Sequence, residues 1–165
     1  MENNKKLTKL QALEIDLDNL PKPGGSYVAV NVRGSIAYVA IQFPIKDNKF
    51  FFIGRLGEDI TTEQGYEAAR LAAMNVLGQI EKFVGLHNIE GVNHADIYYR
   101  ATEEWDEGPR VANGASDLFL EVLGEQGKHT RAIFGVHKLP RGFSVALTVS
   151  FTIKEKQHLP YKDFL

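Results

Sequence analysis

The sequence predicts an α+β fold, in which a mixed six-stranded sheet carries two helices packed on one face. The candidate for the last strand, FSVALTVSFTI at 143–153, alternates apolar with small polar residues, the period of a strand with one core face. A segment that begins at Thr61 has the start signal and apolar periodicity of a long helix. The order of candidates, ββ(β)αβαββ after a short N-terminal helix, places both long helices between strands.

The chain length fits one domain, which we expect to span 1–165. Leucines recur near one helical face over 7–17, so a short amphipathic helix is expected there, ended by the linker PKPGG. The predicted domain therefore consists of an N-terminal helix and linker at 1–25, a core at 26–154 and a loosely attached tail at 155–165.

Three short strands are expected at the start of the core. The segments YVAVNV at 27–32 and IAYVAIQF at 36–43 are apolar and β-branched, and they flank a tight Arg-Gly-Ser turn. The polar segment KDNK at 46–49 predicts a second turn. The apolar run at 50–53 that follows it predicts a third short strand.

The first long helix is expected from Thr61 to about Val84. Thr61 and Gln64 form a capping-box pattern, and apolar residues then recur at helical spacing as far as Gly85, which ends the helix.

Beyond the first long helix, a strand is expected at 92–101, with His94 and Asp96 on the same face and available to a polar network. A second helix at about 109–123 and the strand RAIFGVHK at 131–138 follow. The small polar face of the last strand predicts contact with another subunit, because such a face is seldom left to water.

Composition excludes several classes of protein. The net charge of −2 and the lack of a basic stripe argue against nucleic-acid binding. The absence of cysteine excludes disulfides and thiolate chemistry, which suits a cytoplasmic protein. The N-terminal segment does not have the apolar run of a signal peptide, and no stretch is long and apolar enough to span a membrane.

The histidines and serines give no strong catalytic motif. No pair of histidines has the spacing of a metal site, so no metal is expected. His129 could lie near the mouth of a cleft, although a solvated side chain is the preferred interpretation. Ser116 lies in a helix without a nucleophile elbow. The acidic loop around Trp105 could bind a cation, although such charge runs are usually solvated.

Arg131 is the residue on which the functional interpretation depends. At the start of a strand it could be a solvated edge charge, a partner across a subunit contact, or a bidentate clamp for a carboxylate. Asn113 could similarly be a helix-capping group, and Tyr27 a core or interface aromatic residue.

Three segments in this order resemble the YjgF/RidA family, also called the reactive intermediate deaminase or L-PSP endoribonuclease family. They are GYEAARLAAMNVLGQI at 65–80, VANGASDLF at 111–119 and HTRAIFGVHKLPRG at 129–142. The chain is most similar to the longer subgroup with an extra N-terminal helix, over roughly 7–153. The resemblance implies a chorismate-mutase-like fold, a homotrimer with ligand clefts between subunits, and a reaction without cofactor or metal.

The resemblance also assigns residues to the cleft. Arg131 matches the arginine that binds the substrate carboxylate in the deaminase branch, which hydrolyses enamines and imines to a keto acid and ammonia. Tyr27 and Asn113 match an aromatic residue and an asparagine of the cleft. The backbone carbonyl of Ile133 matches the group that contacts the reacting nitrogen.

Two positions depart from the family pattern. Ala146 stands where the deaminase branch has a glutamate near the attacking water, and Ile41 stands where the family has glycine. The sequence therefore leaves two functions open: an enamine or imine deaminase, and a non-catalytic trimer that binds a carboxylate metabolite. The net charge disfavours the ribonuclease activity in the family's name.

Overall fold

The computed structural model describes residues 2–154, so the predicted tail at 155–165 lies outside the described residues. It contains three α-helices and seven strands within that range. In chain order they are α1 (Glu2–Ala12), β1 (Val30–Arg33), β2 (Ile36–Gln42), β3 (Ile45–Lys46), β4 (Lys49–Phe50), α2 (Thr62–Phe83), β5 (Ile89–Tyr99), α3 (Gly108–Leu123), β6 (Thr130–Gly135) and β7 (Val145–Ile153).

The main sheet has the strand order β1-β2-β7-β5-β6. Neighbouring strands are antiparallel except for β5 and β6, which are parallel, so the sheet is mixed as predicted. The long helices α2 and α3 bury their apolar faces in one core with the sheet, which confirms the α+β architecture. The strands β1 and β6 form the two opposite edges of this sheet.

The main sheet contains five strands, not the six predicted. The expected third strand fails because Phe52 has a φ of 55°, which interrupts the extended run. Only Lys49–Phe50 forms a strand, and it pairs with Ile45–Lys46 in a separate hairpin. Ile53 makes only an isolated bridge to Phe143.

The N-terminal helix ends at Ala12, about five residues before the predicted end at residue 17. Glu14 has a φ of 52° and closes the turn by which the helix ends. Among residues 4–12 of this helix, Lys6 and Leu10 are buried, and the Lys6 ammonium donates to the Gln126 side chain. A lysine that buries its aliphatic stem is not visible in an apolar pattern.

The capping box at the start of α2 is confirmed. The Thr61 hydroxyl accepts a hydrogen bond from the Gln64 backbone N–H, and the Gln64 side chain accepts one from the Thr61 N–H. The helix ends at Phe83, followed by Gly85 at a φ of 86°.

Helices α2 and α3 lie close together at Gly114. A Cβ atom at this position would lie 2.0 Å from the Tyr66 carbonyl oxygen and 3.1 Å from the Arg70 backbone nitrogen. The obstructing atoms are helix backbone, which cannot turn aside as a side chain can. Glycine at 114 therefore sets the distance between the two helices.

We predict that Gly114→Ala destabilises the protein by about 1–3 kcal/mol, because the helices must separate to admit the methyl group. Urea unfolding at pH 7 measures the change. Gly24→Ala is the matched control, since a Cβ there meets no atom within 4 Å. Equal stability of the two variants would contradict the close packing.

Candidate functional site

Arg131 is the second residue of the edge strand β6, and its guanidinium lies against the first turns of α3. Nη1 donates to the Asn113 side-chain oxygen at 2.9 Å and to the Ser116 hydroxyl at 3.0 Å. Nη2 donates to the Pro109 carbonyl oxygen at 3.2 Å. The structure thus joins two of the predicted site residues, Arg131 and Asn113, by a direct hydrogen bond.

The geometry leaves Arg131 with donors to spare. A guanidinium has five N–H groups, and the described residues accept hydrogen bonds from three of them. No carboxylate forms an ion pair with Arg131 among residues 4–154. A positioned, half-buried arginine with unused donors is suited to bind an external carboxylate.

Asn113 lies inside α3, which begins at Gly108, so its alternative interpretation as a helix cap is wrong. Its amide oxygen instead holds Arg131. Ile133 lies two residues beyond Arg131 on the same face of β6, where it packs against the core. The proposed contact between its carbonyl and a reacting nitrogen stays a prediction.

Ser116 and His129 extend this cluster, and sequence reasoning discounted both. His129 Nε2 lies 3.0 Å from the Ser116 hydroxyl, and His129 Nδ1 lies 2.7 Å from the Gly127 carbonyl oxygen. A carbonyl only accepts, so Nδ1 carries a proton and the Nε2 of the neutral ring accepts from Ser116. His129 is half-buried and packs edge-on against Phe119, so its interpretation as a solvated histidine is wrong.

We predict that neutral His129 is the Nδ1–H tautomer. Long-range proton–nitrogen NMR correlations at pH 8 distinguish the two tautomers. The same tautomer should persist in Ser116→Ala, because the Gly127 carbonyl fixes it. An Nε2–H tautomer in the wild type would contradict the assigned direction of the Ser116 hydrogen bond.

The acidic loop before α3 is tied to the start of α2. Trp105 packs edge-on against Tyr99 at 5.1 Å, and its indole N–H donates to the Thr62 hydroxyl at 3.0 Å. The Thr62 hydroxyl donates in turn to the Glu107 carboxylate, which also accepts from Arg110. The hydrogen bond from Thr62, followed by that from Arg110, lowers the pKa of Glu107. These contacts fix the start of α3, where Pro109 contacts Arg131.

We predict that Glu107→Gln removes part of the pH dependence of stability. The fold lowers the pKa of Glu107, so the ionised carboxylate stabilises the folded protein. This contribution to the free energy of unfolding is complete above the unfolded pKa of about 4.3. It is lost as the pH falls through the lower pKa of the folded state. Urea unfolding at pH 7, 5 and 3.5 should show a smaller loss in acid than in the wild type. Glu104→Gln, in the same loop, should retain the wild-type pH dependence. Parallel curves for wild type and Glu107→Gln would contradict this role.

Tyr27 lies in a different part of the chain, at a cavity of about 650 Å³. Its ring is half exposed, and its hydroxyl accepts a hydrogen bond from the Gly24 backbone at 3.1 Å. The cavity is bounded by the loop before β1, the end of β2, the β3–β4 hairpin and the turn before β7. Its side chains include Lys22, Tyr27, Ile41, Gln42, Phe43, Phe50, Arg141 and Phe143.

Two buried polar residues of α2 hold the walls of this cavity. The Asn75 amide donates to the carbonyl oxygens of Phe43 and Ile45, both at 2.9 Å. The Gln79 amide donates to the Pro21 carbonyl oxygen at 2.8 Å. The loop and the hairpin are therefore anchored to the helix layer, and the cavity is part of the packed fold.

Ala146, which the resemblance matches to a glutamate of the deaminase branch, is fully buried. It belongs to an apolar cluster with Leu139 and Phe143, against which Ile41 and Phe43 also pack. Ile41 and Phe43 line the cavity as well. The surroundings of position 146 are thus apolar, and neither Ala146 nor Ile41 offers a side-chain group that could act as an acid or a base.

The predicted site residues lie at two opposite edges of the sheet. Tyr27 precedes β1, and Arg131, Asn113 and Ile133 lie at β6. Four strand spacings separate these edges, about 19 Å. One small carboxylate cannot contact both groups within a single chain.

Comparison with known proteins shows the family of this chain. A family model described as "YjgF/chorismate_mutase-like, putative endoribonuclease" matches residues 7–152. Protein TCP17 of Trypanosoma cruzi is 36% identical over 138 residues, which cover 82% of this chain and 86% of that protein. The chain belongs to the YjgF/chorismate-mutase-like family.

Solved structures show the same fold. Atu1372 from Agrobacterium tumefaciens shares 31% identity at a TM-score of 0.83, covering 93% of this chain and 95% of its own. RidA from an Antarctic Psychrobacter species shares 19% identity at a TM-score of 0.58, covering 84% and 98% respectively. The likeness to the latter is one of fold alone.

The outer face of the sheet in this YjgF-family chain carries a second polar group. His94 Nε2 lies 3.0 Å from the Asp96 carboxylate, and His94 Nδ1 lies 2.8 Å from the Thr130 hydroxyl. The predicted placement of His94 and Asp96 on one face is confirmed. Among the described residues, no group of three or more metal-ligating side chains converges, and no helix is long and apolar enough to cross a membrane.

Proposed function

We propose that the protein is a homotrimer that binds a small carboxylate-bearing metabolite in clefts between subunits, with Arg131 as the clamp. The observation that carries this proposal is the arginine held by Asn113, Ser116 and Pro109 with donors left over. The fork of guanidinium donors matches the planar carboxylate and fixes its orientation as well as its charge.

The trimer is proposed because the two groups of site residues lie at opposite edges of one sheet. A neighbouring subunit that brings its β1 edge to this chain's β6 edge would place Tyr27 beside Arg131. Exposed aromatic side chains on the sheet, Tyr38 and Phe134, are consistent with a covered surface in the assembly. Light scattering should give a molar mass three times that of the chain.

The reaction that we propose for this cleft is hydrolysis of an enamine or imine of a 2-oxo acid. The enamine tautomerises to the imine, water adds to the imine carbon, and the carbon–nitrogen bond breaks to release ammonia and the keto acid. Arg131 would hold the carboxylate next to the reacting carbon. The barrier would fall mainly through placement, because Ala146 supplies no acid or base.

Binding without turnover is the second candidate function. The specific observation in its favour is the apolar environment of Ala146, where the deaminase branch carries its glutamate. A trimer that binds a 2-oxo acid and does not hydrolyse imines would use the same arginine clamp. The two candidates therefore share Arg131 and differ in ammonia release.

We predict that Arg131→Gln abolishes both pyruvate binding and ammonia release from enzymatically generated 2-aminoacrylate. Arg131→Lys should reduce the pyruvate affinity and the rate of ammonia release by about 10- to 100-fold. Lysine keeps the charge and loses the fork. Calorimetry measures pyruvate binding, and a coupled assay measures ammonia.

The outcomes of this experiment separate the candidates. Arg131-dependent ammonia release supports the hydrolase. If pyruvate binding depends on Arg131 but ammonia release does not exceed the spontaneous rate, the result supports the binding protein. The clamp would be overturned if the wild type neither bound pyruvate nor released ammonia. It would also be overturned if Arg131→Gln bound pyruvate as tightly as the wild type. Arg55→Gln is the control, because this partly exposed arginine lies outside both groups of site residues and outside the two edge strands.

A further inference from the structure

The cavity beside Tyr27 has a chemical character of its own. Its volume of about 650 Å³ lies in the range that encloses a drug-sized molecule, and it is much larger than a three-carbon acid requires. Ring centroids of Phe43 and Phe143 lie 4.9 Å apart in a stacked pair, and Phe50 meets Phe143 edge-on at 5.3 Å. These rings form apolar walls suited to a flat ligand.

The charges around the cavity are all positive. Lys22 and Arg141 line it, and no aspartate or glutamate is among the lining residues that the structure describes. The Arg141 guanidinium lies 5.2 Å from the centroid of the Phe50 ring, in cation–π geometry. Arg141 has a φ of 54°, an uncommon conformation for a residue other than glycine, in the turn that faces the cavity. An anionic group at this rim would find a cation already in place.

A buried acceptor at the cavity has no partner. Gln42 is 5% exposed, its amide N–H group donates to the Ala40 carbonyl at 2.9 Å, and its side-chain oxygen Oε1 accepts no hydrogen bond from the described residues. An unsatisfied buried acceptor is costly, so a native structure usually supplies a donor from a ligand or water. Gln42 lines the same cavity as the rings and the cations.

We propose that this cavity binds an aromatic anion that carries an N–H or O–H donor. The ring lies among Phe43, Phe50 and Phe143, the anionic group meets Arg141, and the donor satisfies Gln42 Oε1. This proposal rests on the proposed function in one respect: it takes the cavity to be part of the cleft between subunits. It gives the cleft a second class of ligand, an aromatic anion held by Arg141, beside the small carboxylate held by Arg131.

Calorimetry with a set of matched probes tests the inference on the full-length chain. Indole-3-acetate has the ring, the anion and the N–H; acetate has no ring, indole has no anion, and 1-methylindole-3-acetate has no N–H. We expect indole-3-acetate to bind at least about tenfold more tightly than each of the other three. Affinity no higher than that of acetate would overturn the proposal.

Two variants assign the contacts. Arg141→Gln should weaken indole-3-acetate by about tenfold and leave indole unchanged, whereas the control Arg55→Gln should change neither. Gln42→Leu, of similar size, should bind indole-3-acetate and its N-methyl analogue equally. Thermal unfolding verifies that both variants fold. If Arg141→Gln keeps the wild-type affinity, or if the N-methyl preference persists in Gln42→Leu, the assigned contact is wrong.

Arg131→Gln distinguishes failure of this inference from failure of the proposed function. Indole-3-acetate binding that depends on Arg141 and survives Arg131→Gln supports the aromatic site even if the carboxylate clamp fails. Pyruvate binding that depends on Arg131, without any preference for an aromatic probe, keeps the clamp and overturns the aromatic site.

Discussion

The close approach of α2 and α3 at Gly114 is the constraint on which the Arg131 cluster depends. Because the Tyr66 carbonyl fills the space that a side chain would need, α3 lies close against α2. From this position Asn113, Ser116 and the Pro109 carbonyl reach the arginine of the edge strand. The Trp105–Thr62–Glu107 contacts fix the start of α3 in the same position. Helix packing thus determines how the guanidinium is presented.

The second feature that determines function is the separation of the site residues along the sheet. A positioned arginine lies at the β6 edge, and a cationic aromatic cavity lies beyond the end of β2, between the loop that carries Tyr27 and the turn before β7. The arginine offers a fork of donors for a carboxylate, and the cavity offers aromatic rings, Arg141 and an unsatisfied acceptor for an aromatic anion. A subunit contact between the two edges is the simplest arrangement that uses both.

Much of the fold could be predicted from the sequence, because its signals are local. The capping box at Thr61 and the alternation along β7 specify their elements directly. The hairpin at 46–49 also forms, with Asp47 and Asn48 in left-handed conformations that suit these residues. The left-handed Phe52 and the buried Lys6 could not be predicted, because tertiary packing overrides their ordinary preferences.

The site was predicted in part, and the missed residues did leave a signal. Ser116 follows Asn113 by three residues on one helix face, and His129 lies two residues before Arg131, next to the start of β6. The first spacing could have placed Ser116, and the second His129, beside Arg131. The cavity could not have been predicted, because it joins four separate segments and its unsatisfied Gln42 oxygen appears only in three dimensions.

Subunit complementation tests the central claim, a carboxylate site shared between chains, most directly. Arg131→Gln and Tyr27→Glu are each expected to bind no pyruvate, the first without the clamp and the second with an opposing charge in the cleft. When the two variants are unfolded together and refolded, a shared site predicts that about a quarter of the clefts combine an intact Arg131 with an intact Tyr27. Calorimetry should then recover about that fraction of wild-type pyruvate sites. No recovery from a mixture that does form trimers would contradict the shared cleft.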